Sequence, residues 1–358
     1  MGYTSKANVV TPVLAIGRVG ALCGNVHRID PPAWVTDNAL ILQVDTQTFV
    51  YSYLHAMLLS RNLNDLAAKT AQPLITSTQV LDQRLPCPPM SEQVAIADFL
   101  DRETAKIDAL VEKKKRLIEL LLEKRTALIT HAVTEGLDPN VPMKDSGIEW
   151  LGEIPAHWKL ASVKRFAEIV NGATPRSSEP EYWDGNVAWA TPDDLGQLRS
   201  RVLEDTSRYI TKTGYASCGT TLVPPGSLIL STRAPIGHLA IAGRELCINQ
   251  GCRGLILDEH DSSVYRYYSV LAVRPILQAL GEGSTFRELP RDTLVNVVLP
   301  NPPQEERNAI ADFLDRETAK IDALVGKIEE AIKLLKEYRT ALISAAVTGK
   351  IDVRNEMT

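Results

Sequence analysis

The chain has 358 residues, 44% of them hydrophobic, which is enough for two or three folded domains and too apolar for a disordered chain. A net charge of −5 and a pI near 5.8 argue against a stand-alone nucleic-acid binder, so if DNA is bound, other chains must supply much of the phosphate grip. The start lacks the basic and apolar segments of a secretory signal, and no run approaches the ~18 apolar residues of a membrane span, so a cytoplasmic protein with no membrane partner is expected.

Residues 1–90 read as a short globule: β-type runs in "AIGRVGALCGNVHRI" and "DNALIL", then a helix from Tyr51 to Leu63. A long helix is expected over 91–136, opened by Pro88-Pro89 and closed by Gly136. The Pro- and Gly-rich segment 137–149 is a linker. Residues 150–303 form a mixed α/β globule with strands at Leu228–Leu230, Leu239–Ile241, Leu255–Leu257 and Val295–Leu299 and a helix around Ser263–Leu280. A second long helix fills 304–350, from Pro302-Pro303 to Gly349.

The two long helices are an internal duplication. "AIADFLDRETAKIDALV" occurs at Ala95–Val111 and again at Ala309–Val325, an offset of 214. A helix of about forty residues is ~60 Å long and must bury its apolar stripe. The stripe reads Ile96, Leu100, Ile107, Leu110, Leu117, Leu121 and Leu128 in the first copy, and Ile310, Leu314, Ile321, Leu324, Ile328, Leu335 and Leu342 in the second. Its alternation of three and four is that of a coiled-coil seam. Antiparallel pairing of the copies would bring Lys113-Lys114-Lys115-Arg116 near Glu329-Glu330; the alternative is that each helix covers its own globule. The fold class expected is α+β: two mixed α/β globules joined by two long antiparallel helices forming a coiled coil.

Residues 1–90 match only the latter part of the second globule, "AIGRVGALCGNVHRI" against "STRAPIGHLAIAGRE" and "DNALIL" against "GCRGLIL". The first globule is therefore expected to lack its opening third. Five scattered cysteines without C-x-x-C signal neither disulfides nor zinc and read as ordinary buried thiols, and six dispersed histidines give no ligand pair, so no metal is expected.

The blocks "MKDSGIEWLGEIPAHWKL", "NGATPRSSEPEYWDGNVAW", "GSTFRELPRDTL" and "PPQEERNAIADFLDRETAKIDALV", with the earlier twin of the last, resemble in their order the specificity subunit of type I restriction-modification systems. The resemblance implies that each globule is a target-recognition domain reading half of a split site on double-stranded DNA. It also implies that the paired helices fix the gap and dock two modification (methyltransferase) subunits, with restriction subunits joining through the complex. The first target-recognition domain departs from the family pattern by its shortened start. A half-site reader, a decoy that occupies modification subunits, or an unrelated coiled-coil scaffold are the competing readings.

Arginine reads guanine, Asn and Gln read adenine, and Thr methyls contact thymine, so loop residues of these types are the candidate DNA contacts. In the second globule they are Thr174, Arg176 and Ser178, then Arg233 before the Pro235-Ile236-Gly237 turn, then Thr285 and Arg287. In the first they are Arg18, Gln72 and Ser77. Any of the arginines also suits a phosphate contact, which positions without specifying. Trp183 and Trp189 are expected in the core rather than against bases. On the helices, Asp98, Arg102 and Lys106 with their twins Asp312, Arg316 and Lys320 are the candidate partner-binding residues.

No catalytic residue or cofactor is expected. Asn301-Pro302-Pro303-Gln304 resembles an amino-methyltransferase tetrapeptide but carries Gln where an aromatic residue is needed, and helix-initiating prolines explain it better. A phosphate-binding G-x-x-x-x-G-K-[ST] loop is missing, and Pro192-Asp193 lacks a nuclease-type continuation.

Overall fold

The computed structural model describes residues 6–67, 72–283 and 287–353. They fall into two units, the first made of residues up to 119 with those from 324 onward, the second of residues 120–323. Each long helix is divided between the two units.

In the first unit, β1 (Val13–Gly17) pairs antiparallel with β2 (Val26–Ile29) and β3 (Ala39–Leu42), in the order β2-β1-β3. Strand alternation gathers Leu14, Ile16, Val26, Leu40 and Leu42 on one face, against Leu54 and Leu58 of helix α1 (Tyr51–Arg61). That helix closes on Asn62 in the left-handed conformation, φ 53°. A capping box of Thr76 and Gln79 opens the short α2 (Ser77–Leu81). Immediately after Pro88-Pro89 begins α3 (Met90–Thr134). Its first turn is tied down by buried Gln93, which donates to the Thr48 and Pro88 carbonyls (3.0 and 2.9 Å) and accepts from the Val50 N–H (2.9 Å).

In the second unit, β4 (Met143–Asp145) pairs with β5 (Glu153–Pro155). The chain continues through β6 (Lys159–Ser162), β7 (Ala167–Asn171), β8 (Trp183–Ala190), α4 (Pro192–Gln197), β9 (Val202–Leu203), β10 (Tyr209–Ile210), α5 (Lys212–Ser217) and β11 (Leu222–Val223). It then forms β12 (Leu228–Ser231), β13 (Leu239–Ala242), β14 (Leu246–Ile248), β15 (Cys252–Leu257), α6 (Ser263–Ala272), α7 (Arg274–Ala279) and α8 (Arg291–Asn296). Last come β16 (Val298–Asn301), paired with β6, and α9 (Gln304–Val347).

A five-stranded sheet, β7-β15-β12-β13-β9, forms the middle layer of this unit. Leu228 and Leu230 of β12 share one core with Val270, Leu277 and Leu294 from the helices, whereas Ile229 shares another with Ala188, Leu246 and Ile248 of the four-stranded sheet β10-β8-β14-β11. The order β13-β12-β15 repeats β2-β1-β3. Leu289 N–H donates to Thr232 O (2.8 Å) as Ile75 N–H does to Arg18 O (2.9 Å), at the same offset of 214. Among the described residues the first unit has no counterpart of the four-stranded sheet.

Two expected elements differ. The helix around 263–280 breaks at Val273, because Pro275 in the first turn of α7 can neither donate to nor fit the preceding turn. Val295 lies in α8, and the strand begins only at Val298.

The long helices pack on each other, antiparallel. In the first unit Arg339 donates to both oxygens of Asp108 (2.9 and 3.1 Å). In the second, Arg125 does so to Asp322 (3.0 and 3.4 Å), while Ile129, Ala132 and Val133 share a core with Ile310, Ala311 and Leu314. Arg125 and Arg339, like Asp108 and Asp322, are twins at offset 214, so the register is the same in both units. Ile96, Leu100, Ile107, Ile310, Leu314, Ile321, Ile328 and Leu342 of the expected stripe are buried, whereas Leu110, Leu117 and Leu324 are 43–44% exposed and the neighbouring seam positions are taken by Val111 and Ile332. Among Lys113–Arg116 and Glu329-Glu330, Lys115 pairs along its helix with Glu112, and Arg116 with Glu119. Gly136 (φ 83°) and Gly349 (φ 72°) close the helices as expected.

Candidate nucleic-acid interface

Strand register brings several loops of the second unit to one end of the five-stranded sheet. Cys252, the first residue of β15, faces Ser231, the last of β12, and Arg253 faces Asn171, the last of β7. The loops after β7 and β12 and the turn into β15 therefore share an edge. The segment 287–289 joins them, since Arg233 and Glu288 form an antiparallel bridge.

A side-chain chain links these loops. The Thr174 hydroxyl donates to Gln250 Oε1, and Arg253 Nη1 donates to the Gln250 carbonyl (3.2 Å). Arg253 Nη2 donates to Glu288 Oε1 (3.4 Å), and Arg233 Nε donates to Glu288 Oε2 (2.9 Å). Arg253 is a strut, with its side chain 14% exposed; Arg233 is 48% exposed and presents its guanidinium outward. A carboxylate holding an exposed arginine offsets its charge and fixes the direction of its remaining N–H donors, an arrangement suited to base edges more than to phosphates.

Arg176 and Ser178 are exposed on the loop that carries Thr174. Two tryptophans staple that loop from beneath, Trp183 Nε1 donating to Arg176 O (3.1 Å) and Trp189 Nε1 to Ala173 O (3.0 Å). Their rings meet edge-on at 5.2 Å with Arg208 3.8 Å over Trp183, so both are core residues, as expected. Gly172 lets the loop pass close to its neighbour, because a Cβ there would lie 2.0 Å from the Asn249 carbonyl oxygen. Arg287 folds back on its own turn, donating to Gly281 O at 3.0 and 3.3 Å. Thr285 lies outside the described residues.

In the first unit, Arg18 leaves β1 and its carbonyl accepts from Ile75 N–H (2.9 Å), while Gly20 N–H donates to Pro73 O (3.0 Å). Arg18 is thus beside the segment that carries Gln72 and Ser77, and all three are exposed. On the helices, Asp98 and Asp312 are exposed. Arg102 pairs with Glu103 (3.1 Å) and lies 5.7 Å over Phe99, and Lys106 pairs with the same Glu103 (2.8 Å). The second copy repeats this arrangement with Arg316, Glu317, Phe313 and Lys320.

The residues missed in the sequence are the connectors Gln250, Arg253 and Glu288; the signal for the first two is the tight "NQGCRG" turn, and Glu288 stands in the "GSTFRELPRDTL" block next to Arg287. The cysteines are divided: Cys23, Cys247 and Cys252 are buried, but Cys87 is exposed and Cys218 half-buried. Burial pushes the thiols of Cys247 and Cys252 up to about 11 and about 12, which keeps them protonated packing groups. Among the described residues no helix is long and apolar enough to cross a membrane, and no three His, Cys, Asp or Glu side chains are grouped to hold a metal.

A family model described as "Type I restriction modification DNA specificity domain" matches residues 2–120 and 155–334. The MjaIX specificity subunit of a Methanocaldococcus jannaschii type I restriction enzyme is 36% identical over 166 residues, which cover 46% of this chain but only 38% of that relative. The putative MjaX specificity subunit of the same organism is 27% identical over 308 residues, 84% of this chain and 68% of the relative. A structure concerned with complex assembly and conformational transition of the type I R-M system shares the fold, with TM-score 0.70 at 21% identity over 98% of this chain and 85% of that one. The crystal structure of an HsdS subunit from Thermoanaerobacter tengcongensis does so with TM-score 0.54 at 19% identity, over 98% and 84%.

Proposed function

The chain belongs to the type I restriction-modification DNA specificity domain family, and from that premise we propose that it is the non-catalytic, sequence-specific DNA-recognition subunit of such a complex. Its globules read parts of a split site on double-stranded DNA. Its paired helices fix the gap and dock two modification subunits, through which restriction subunits are engaged. The methylation chemistry resides in those partners.

The observation that carries this reading is the shared helix register. Asp108–Arg339 and Arg125–Asp322 are the same pair in two copies, so the helix pair offers a partner two equivalent faces. Arg102 and Lys106 with Arg316 and Lys320 lie on those faces, beside Asp98 and Asp312. Thr174, Arg176, Ser178, Arg233, Thr285 and Arg287 are the proposed base-reading set of the second globule, and Arg18, Gln72 and Ser77 that of the first. The three-stranded sheet of the first unit favours one further reading, in which the second globule alone supplies most of the sequence discrimination.

The test is to combine the chain with its cognate modification subunit, expose random DNA and map methylated bases by long-read sequencing. Methylation confined to one split motif is expected. Complex formation without methylation would identify a decoy, and failure to bind the modification subunit would leave only a scaffold.

A further inference from the structure

Asp101 and Asp315 occupy the same place in the two helix copies, and each is gripped by an arginine of its own globule. In the first unit Arg28 Nη2 donates to Asp101 Oδ1 (2.9 Å) while its Nε donates to His55 Nδ1 (3.1 Å). In the second, Arg201 donates to both oxygens of Asp315 (2.5 and 2.8 Å), and the Tyr268 hydroxyl adds a third bond at 2.9 Å.

The arginines are not repeat twins. Arg28 lies on β2, the edge strand of its sheet. The counterpart of β2 is β13, which carries no arginine and is covered by a further strand, β9. Arg201 stands immediately before β9, and its carbonyl accepts from Ile241 N–H of β13 (2.7 Å). Whichever strand forms that edge thus supplies the guanidinium, whereas the aspartate is inherited with the helix. A shared packing origin explains one recurrent partner and leaves the other to chance; a shared requirement explains both.

We infer that Asp101 and Asp315, held by Arg28 and Arg201, are positioning residues that lock the angle of each recognition globule on its helix and so determine which half-site spacing is accepted. The inference rests on the DNA-recognition reading. Bonds from a planar guanidinium to a carboxylate are directional: the two-bond grip of Arg201 on Asp315 fixes rotation as well as distance, and Arg28, which gives Asp101 one bond, is itself held in orientation by His55.

The test uses the full chain with its modification subunit and a plasmid library in which the gap of the cognate motif varies by one base pair either way. Arg28→Ala and Arg201→Ala are expected to lower methylation at the cognate gap about tenfold and to raise it at the neighbouring gaps. Exchanging the charges, Arg28→Asp with Asp101→Arg, is expected to restore the narrow preference, which a purely stabilising contact would not require. Spin labels at Leu22→Cys and Glu112→Cys, in a Cys87→Ser and Cys218→Ser background, report the angle without DNA; Arg28→Ala should broaden their distance distribution. If the parent complex methylates a split motif and the alanine variants keep its gap preference and rate, the lock is refuted. If the parent methylates nothing, the DNA reading fails, and an unbroadened distance distribution then refutes the lock as well.

Discussion

Removing one heptad from each long helix tests whether the paired helices set the gap. The interhelical pairs lie seventeen positions apart along each helix, from Asp108 to Arg125 and from Asp322 to Arg339. Deleting Glu112–Ile118 and Gly326–Ile332 together removes seven residues between them on both sides, so both ion pairs and the seam alternation survive. At 1.5 Å per residue the helices shorten by about 10 Å, which is about three base pairs at 3.4 Å each. Seven residues turn an α-helix by only ~20° from a whole number of turns, whereas three base pairs turn DNA by roughly 100°. The expected result in long-read methylation mapping is therefore a gap about three base pairs shorter, read more slowly because the DNA must twist to present both halves. An unchanged gap at an unchanged rate would refute the argument that these helices measure the distance.

Gly172→Ala should force the Thr174–Ser178 loop off the Asn249 carbonyl, costing about 1–3 kcal/mol by overpacking and blurring the methylated motif at the positions that this loop reads; melting and methylation mapping check both. Asp261→Asn should destabilise the fold by about 3–5 kcal/mol in denaturant titration, because buried Arg266 (2.7 Å) and Arg307 (3.0 Å) both pair with that carboxylate. Burial and then the Arg28 charge push the His55 imidazole down from 6.5 to about 4, so its neutral form is the one the fold prefers. The stability this contributes is present above pH 6.5 and is lost as pH falls toward 4. His55→Gln should flatten the loss between about pH 7 and about pH 5, by about 2 kcal/mol at most for a half-buried group.

The long helices were legible because their signals are local: a repeated string, a proline start, a glycine stop and a period near 3.5. Their seam departs from the expected stripe at Leu110, Leu117 and Leu324, because two apolar stripes overlap, as at Leu110 beside the buried Val111, and only tertiary contact decides which is covered. The candidate interface was legible as loops and not as a network. Thr174 and Arg233 were found by residue type, but Gln250, Arg253 and Glu288 connect them only through the register of β15 on β12 and β7, which no local pattern specifies. For the same reason Arg28 and Arg201 were invisible as partners of the helix aspartates.

Where the two helix copies differ also follows from what each residue touches. Position 93 is Gln and its twin 307 is Arg. Gln93 is satisfied by the Thr48, Val50 and Pro88 backbone, whereas Arg307 answers Asp261 and Asn301 of the larger globule. Elsewhere contact with a globule has not driven divergence: from Ala309 to Val325 the second copy is identical to the first, although Ile310, Ala311 and Leu314 share a core with Trp158, Tyr265 and Tyr268, Thr318 bonds Tyr268, and Asp315 is held by Arg201. The helix surface that a globule sits on has thus been kept, and Asp101 and Asp315 belong to it. What differs is the segment that reaches the carboxylate, β2 through Arg28 in one unit and the residue before β9, Arg201, in the other.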